Sequence, residues 1–127
     1  VFGAPTASTD HADRAVAAAA AMHRAQHAVN DEWVRDGLPP FLLGIGLSSG
    51  EVAAAFLGSE ERLEYTVIGD AVNLCQRLQQ FATDGQVVLS EPTWDRLTAA
   101  PEQFERLPET LVKGRDTPVE PYRITVT

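Results

Sequence analysis

An amide and a guanidinium lie four residues apart in the stretch "EYTVIGDAVNLCQRL", residues 64 to 78. The stretch has the pattern of a strand that ends at Gly69-Asp70 and turns directly into a helix. Asn73 and Arg77 should therefore share one side of that helix, about 6 Å apart. An amide and a guanidinium at this distance can orient a sugar and a phosphate together, although spacing alone favours an ordinary solvated helix face.

Three other groups of polar residues have the chemistry to bind a metal or a phosphate, and each also has a plainer interpretation. Asp70 follows a strand end, where metal ligands occur, but an Asp where a helix begins is usually its cap. His23 and His27 have the i, i+4 spacing of a shared metal site, yet without a third ligand an exposed helix face is the better interpretation. Residues 113–115, Lys-Gly-Arg, can grip a phosphate or simply form a solvated hairpin end.

A predicted α+β domain positions these residues. From His11 to about Asp36 the chain has good helix formers without Gly or Pro, which predicts one long helix with Asp10 as its N-cap and Gly37 at its end. Two strands are expected around a turn at residues 48–50. A charged, projecting ribbon, "SEERLEY", should follow at residues 59–65.

The second half of the chain alternates helices and strands. A helix from Asp70 to about Ala82 should turn an apolar face to the sheet, consisting of Ala71, Leu74, Cys75, Leu78 and Phe81. Residues 86–90 predict a buried strand, and residues 91–100 predict a short helix with Pro92 in its first turn. Residues 104–115 and 119–126 predict a final antiparallel pair. The order α-β-β-α-β-α-β-β indicates helices packed against a largely antiparallel sheet.

Composition restricts the class of protein. The chain has 127 residues, 44% hydrophobic and 22% charged, which suits one globular domain that can bury a core. Its longest apolar run, Ala15 to Met22, is too short to cross a bilayer, and no signal-peptide pattern is visible. The net charge of -8 argues against nucleic acid as a partner. A lone cysteine, Cys75, excludes an internal disulfide and fits a reducing compartment.

Three stretches, "GIGLSSGEV", "LGSEERLEYTVIGDAVNLCQRL" and "GQVVLSEPTWDRL", resemble the catalytic domain of the class III adenylate and guanylate cyclases, in that family's order. The opening "VFGAPTASTDHADRAVAAA" and the closing "LVKGRDTPVEPYRI" continue the similarity over nearly the whole chain. The resemblance implies a ferredoxin-like nucleotide cyclase sandwich. It also implies a reaction in which the ribose 3′-oxygen of ATP attacks the α-phosphorus, expels pyrophosphate and closes cyclic AMP.

The resemblance assigns roles to four residues. In the family, an Asn and an Arg at this spacing belong to the active site, so Asn73 should orient the ribose and Arg77 should stabilise charge on the reacting phosphate. Thr66, seven residues before Asn73, matches the purine-reading position, where many members have Asp and a bacterial subgroup has Thr. Arg115 falls where a Lys usually grips the terminal phosphates, and an Arg keeps that charge but changes its geometry.

The chain departs from the family pattern on the metal side of the site. The family holds two divalent ions, Mg²⁺ or Mn²⁺, on two aspartates, the second of which lies just before a "VFG"-like segment. This chain begins at Val1-Phe2-Gly3, so the resemblance predicts that residues 1–127 are the C-terminal two-thirds of a cyclase domain, truncated at its N-terminus and without metal ligands. The "IGD" at 68–70 resembles the missing motif, but Asn73 and Arg77 mark it as the later segment.

Two functions from different classes stay open. The chain is either part of an active adenylate cyclase and inactive by itself, or a non-catalytic module that dimerises or binds nucleotide. Guanylate cyclase is a further alternative, because the hydroxyl of Thr66 can hydrogen bond either purine. For the enzyme, the resemblance implies ATP as substrate and a homodimer through the catalytic domain. It also implies a cytoplasmic location, with any membrane attachment through regions outside this chain.

Overall fold

The computed structural model describes residues 2–3, 8–50, 53–59, 62–111 and 118–126, with 53–59 and 62–68 described by their backbone alone. The helices are α1 (His11–Arg35), α2 (Asp70–Leu78), which a 3₁₀ turn (Gln79–Phe81) extends, and α3 (Glu91–Asp95). The strands are β1 (Gly44–Leu47), β2 (Ala53–Ser59), β3 (Arg62–Ile68), β4 (Gln86–Leu89), β5 (Glu105–Arg106) and β6 (Tyr122–Thr125).

A four-stranded sheet forms the centre of the fold, in the order β1-β4-β6-β5. Strand β6 pairs antiparallel with both β4 and β5. Strand β1 lies parallel to β4, with Gly44 opposite Gln86. The sheet is therefore largely antiparallel, as predicted, with one parallel pair at its edge. Because parallel strands cannot be joined by a tight turn, the long segment between β1 and β4 must cross over one face of the sheet.

The two faces of this sheet bury separate cores. Alternation along β4 places Val88 on the side of α2 and its two neighbours on the side of α1. The core on the α1 side consists of Ala19, Val87, Leu89, Ile124 and Val126. On the other side, α2 packs Leu74 and Leu78 against Val88. Burial on both faces explains why β4 is a continuous apolar run in the sequence instead of an alternating one.

The segment between α1 and α2 contains three strands, which are the two expected around residues 48–50 and the one expected to end at Gly69-Asp70. Residues 48–50 are not a hairpin turn, because β1 joins the central sheet while β2 pairs with β3 in a separate two-stranded sheet. The register of this hairpin runs from Ala53 opposite Ile68 to Ser59 opposite Arg62. The predicted ribbon is thus present. Of this ribbon, residues 62–65 belong to β3, because the polar and apolar alternation from Arg62 continues into Ile68.

The long first helix is confirmed, and it ends before Gly37, whose φ of 82° is in the left-handed region that glycine accepts. Asp10 occupies the predicted N-cap position, and its carbonyl accepts from the Arg14 amide, but its side chain does not cap the helix. Asp10 accepts a hydrogen bond from the Ser8 hydroxyl, which lowers the pKa of its carboxyl, and makes no side-chain bond to the helix. Asp13 instead accepts from the Thr98 amide and links the start of α1 to the loop after α3.

Within the described part of the chain, no helix has the length and apolar character that crossing a membrane requires.

Candidate active site

Helix α2 carries Asn73 and Arg77 on the side that faces away from the sheet. Leu74 and Leu78 are buried beneath the helix, while Asn73 is exposed and Arg77 is partly exposed. An exposed amide and a partly exposed guanidinium on one helix surface are accessible to a ligand. Arg77 also lies in the last turn of α2, where a cation is stabilised by the helix dipole, so its position suits the helix with or without a ligand.

The start and the end of α2 differ from the sequence prediction. Gly69 occupies the cap position and Asp70 is the first helical residue, so Asp70 is not the cap. An acidic residue in the first turn still stabilises the helix through the dipole. At the other end, Phe81 is 36% exposed and does not join the core. The 3₁₀ turn over Gln79–Phe81 has fewer residues per turn than an α-helix, which rotates Phe81 off the apolar stripe.

The remaining predicted substrate contacts are only partly described. Thr66 lies in β3 opposite Ala55 of β2, and the chain passes from β3 through Gly69 directly into α2. The structure therefore brings Thr66, Asn73 and Arg77 into one strand–turn–helix unit. The side chain of Thr66 lies outside the described residues, and so does the whole of residues 113–115, including Arg115.

A cavity of about 460 Å³ opens beside the start of α2, next to the ends of β1 and β4. Its described lining includes four carboxylates, of Asp70, Glu91, Asp95 and Glu120, and neither Asn73 nor Arg77. A triphosphate is repelled by such a wall. The outward side of α2 is therefore the better place for a nucleotide than this cavity.

Three hydroxyl groups in hydrogen-bond contact lie beside that cavity. The Thr93 hydroxyl lies 2.8 Å from that of Ser49 and 3.0 Å from that of Ser90. Ser90 is the N-cap of α3 and accepts a hydrogen bond from the Thr93 amide at 3.4 Å. These contacts tie the loop after β1 to α3, and they satisfy polar groups that burial would otherwise leave unpaired.

His23 and His27 do not form the exposed face that the sequence predicted. His23 is fully buried, and its Nε2 donates to the Gln86 carbonyl at 2.9 Å, which leaves Nδ1 buried and without a partner among the described groups. The His27 ring lies 6.2 Å from the His23 ring. The physical reason for the difference is that α1 packs across the start of β4, so His23 links helix to strand.

The described residues do not supply the two-ion site that the resemblance implies. Among them, no group of three or more His, Cys, Asp or Glu side chains is arranged to hold a metal ion. Asp70 is the first residue of α2 and one of the residues that line the cavity.

A close contact between α2 and β1 could not be foreseen from the apolar stripe of α2 alone. The Cys75 thiol donates to the Gly46 carbonyl at 3.0 Å, and burial raises the pKa of that thiol. Such a hydrogen bond requires the helix to lie directly on the strand. The two glycines of β1, Gly44 and Gly46, permit this approach, and their alternate spacing in the sequence was the signal that pointed to it.

Comparison with known proteins agrees with this architecture. Residues 1–125 match the family model of the adenylate and guanylate cyclase catalytic domain. Adenylate cyclase 1 of Rhizobium meliloti (strain 1021) is 32% identical over 125 residues, which are 98% of this chain and 19% of that protein. The chain thus spans about a fifth of the length of this curated relative.

Two solved structures share the fold over nearly all of this chain. The guanylyl cyclase Cya2 superposes with a TM-score of 0.83 and 33% identity over 96% of this chain and 61% of that one. The adenylyl cyclase CyaB from P. aeruginosa superposes with a TM-score of 0.83 and 26% identity over 99% of this chain and 65% of that one. The cyclase-like α+β fold is confirmed, and this chain belongs to the adenylate and guanylate cyclase catalytic domain family.

Proposed function

We propose that the complete protein containing this chain is an adenylate cyclase, which converts ATP into 3′,5′-cyclic AMP and pyrophosphate. The observation that carries the proposal is the Asn73–Arg77 pair on the outward side of α2, in a chain of the cyclase family. The similarity to an adenylate cyclase over 98% of this chain supports ATP as the substrate.

In the proposed reaction the ribose 3′-oxygen forms a bond to the α-phosphorus, the bond from that phosphorus to the pyrophosphate oxygen breaks, and the 3′-hydroxyl loses its proton. Asn73 can donate and accept hydrogen bonds and orients the ribose. The planar guanidinium donors of Arg77 stabilise the negative charge that develops around the phosphorus. Divalent ions, which this family generally uses, need ligands from outside the described residues.

The domain itself is the second part of the proposal. We propose that residues 1–127 are a partial catalytic domain, and that the segment with the metal-binding aspartates precedes them in the complete protein. The chain covers 61% of the Cya2 chain and 65% of the CyaB chain, which is compatible with a further segment of the domain.

Preference for ATP over GTP is the first expected result. Purified complete protein, given both nucleotides in competition, should show the higher kcat/KM for ATP. Thr66→Val removes the hydroxyl while preserving shape, and because that hydroxyl can hydrogen bond either purine, it should lower kcat/KM for ATP and for GTP together. Guanylate cyclase activity is the second candidate function, because the structural neighbour Cya2 is a guanylyl cyclase. A higher kcat/KM for GTP would establish that alternative.

A homodimer that shares its sites is the second expected result. The Asn73–Arg77 surface faces away from its own domain, and the β2–β3 hairpin pairs only with itself in the described backbone. Both features leave room for a partner, and a twofold dimer creates two equivalent sites. A variant lacking a metal-binding aspartate should complement an Arg77→Ala variant, since each heterodimer then has one intact site.

Complementation has an expected size. Equal amounts of two variants that exchange subunits freely give half heterodimers, each with one working site, so roughly a quarter of wild-type activity should return. The two variants assayed separately provide the control. Activity no higher than the sum of the separate assays would rule out the shared site.

A further inference from the structure

We infer that Gly44 and Gly46 are positioning residues, which set the depth at which α2 lies on the sheet and thereby fix the place of Asn73 and Arg77. The geometric part of this inference stands on the packing of α2 against β1. Its catalytic part rests on the proposed function, which makes Asn73 and Arg77 the residues that contact substrate.

The two faces of β1 differ in the size of their side chains. Ile45 and Leu47 pack against the core on the α1 side. Gly44 and Gly46 alternate with them and therefore face α2 and the 3₁₀ turn that follows it. On this face the strand offers only backbone for the helix to rest on.

The backbone of α2 and of the residues that directly follow it occupies the space that a side chain on either glycine would need. A Cβ on Gly46 would lie 2.6 Å from the amide nitrogen of Gln79 and 2.7 Å from the carbonyl oxygen of Cys75. A Cβ on Gly44 would lie 2.9 Å from the carbonyl carbon of Ala82. Real Cβ contacts essentially never fall below 3.0 Å, and backbone atoms cannot rotate out of the way. A side chain at Gly46 must therefore displace α2, and one at Gly44 must displace the backbone just after the 3₁₀ turn that extends α2.

Glycine is needed at positions 44 and 46 because another backbone segment lies so close to β1, and not because of the backbone conformation of β1. Among the described residues, the glycines with positive φ are Gly3, Gly37 and Gly85, so neither Gly44 nor Gly46 adopts a conformation reserved for glycine. The hydrogen bond from the Cys75 thiol to the Gly46 carbonyl, at 3.0 Å, confirms how closely the helix approaches the strand.

The two residues that a Cβ on Gly46 would contact lie on either side of Arg77 in the sequence. Cys75 and Gln79 lie two residues before and two residues after it, so the backbone that rests on Gly46 is the backbone that carries the guanidinium. Restoring an ordinary carbon contact of about 3.5 Å at Gly46 requires a shift of roughly 1 Å. A misplacement of about 1 Å at a catalytic group can lower the rate by about 100-fold.

The test uses Gly46→Ala and Gly44→Ala in the complete protein, assayed with ATP and Mn²⁺. Gly46→Ala should lower kcat by roughly 10- to 100-fold with little change in KM. Gly44→Ala should have a smaller effect, because Ala82 lies farther from Arg77. Combined with Arg77→Ala, Gly46→Ala should cause a much smaller further loss of kcat than it causes alone, since part of its effect acts through Arg77 and only the displacement of Asn73 remains. Ile45→Val, on the opposite face of the same strand, should retain wild-type kcat.

A second measurement does not depend on activity. Alkylation of Cys75, followed by mass spectrometry of its peptide, should become several-fold faster in Gly46→Ala and stay unchanged in Ile45→Val, because lifting α2 uncovers the thiol. If wild-type protein makes no cyclic nucleotide, the proposed function fails while the alkylation rates still test the packing. If Gly46→Ala does not fold, Gly44→Ala serves in both assays. Wild-type kcat and wild-type alkylation in the glycine variants would overturn the inference.

Discussion

Replacing Arg77 by alanine should lower kcat of the complete protein by roughly 100-fold or more, with a much smaller change in KM. The guanidinium is proposed to interact more strongly with the charge that builds up during the reaction than with bound ATP, and such an interaction appears in kcat. Steady-state assays of cyclic AMP formation at saturating ATP provide the measurement.

Two further substitutions separate charge from geometry. Arg77→Lys keeps the positive charge but loses the planar pair of donors, so its kcat should lie between those of wild type and Arg77→Ala. Gln76 is the neighbouring exposed residue of the same helix, and Gln76→Ala should leave kcat unchanged. Wild-type turnover in Arg77→Ala would remove this residue from the proposed site.

The 127-residue chain by itself should form cyclic AMP only at the background rate with Mn²⁺ and ATP. We propose that the metal-binding aspartates lie outside this chain, and the described residues include no group of side chains arranged for a metal. Without such ligands, the chain would have only the proposed ribose and phosphate contacts. The measurement compares purified chain with a buffer blank over several hours.

Circular dichroism of the same sample is the control, because an unfolded chain would be inactive for a trivial reason. Cyclic AMP above the blank would contradict the prediction and indicate a metal site within these residues. Asp70 would then be the first side chain to replace, as Asp70→Asn, since it lies at the start of the helix that carries Asn73 and Arg77.

The elements with strong periodicity could be predicted from the sequence. The long run of helix formers predicted α1, and the apolar run "QVVL" predicted the doubly buried β4. His23 could not be predicted from residue type, because histidines spaced i, i+4 are usually solvated. The spacing of His23 relative to other residues of α1 was a better indication that it is buried. Ala12, Ala19, His23 and Asn30 recur at helical intervals along one face, and all four are buried.

The candidate site, too, could be predicted from the sequence only in part. Asn73 and Arg77 could be placed from sequence because α2 is strongly amphipathic and its apolar stripe identifies the outward side. The alternate spacing of Gly44 and Gly46 indicated a strand face without side chains, but the distance between two backbones cannot be obtained from a strand pattern. The strand before α2 begins earlier than predicted, at Arg62, because the charged residues in "SEERLEY" suggested a connection, whereas the described backbone pairs residues 62–68 with β2.

The parallel pairing of β1 with β4 has a consequence for how the protein folds as it is synthesised. Thr66, Asn73 and Arg77 all lie in the connection between these two strands, which align Gly44 with Gln86. A parallel pair forms only after its connection has closed into a loop, and loop closure costs conformational entropy and slows folding. The β2–β3 hairpin and α2 have local contacts, but a nine-residue helix is only marginally stable without packing partners. Because Leu74 and Leu78 pack against Val88 of β4, the side of α2 that carries Asn73 and Arg77 is fixed in place only after β4 has been translated.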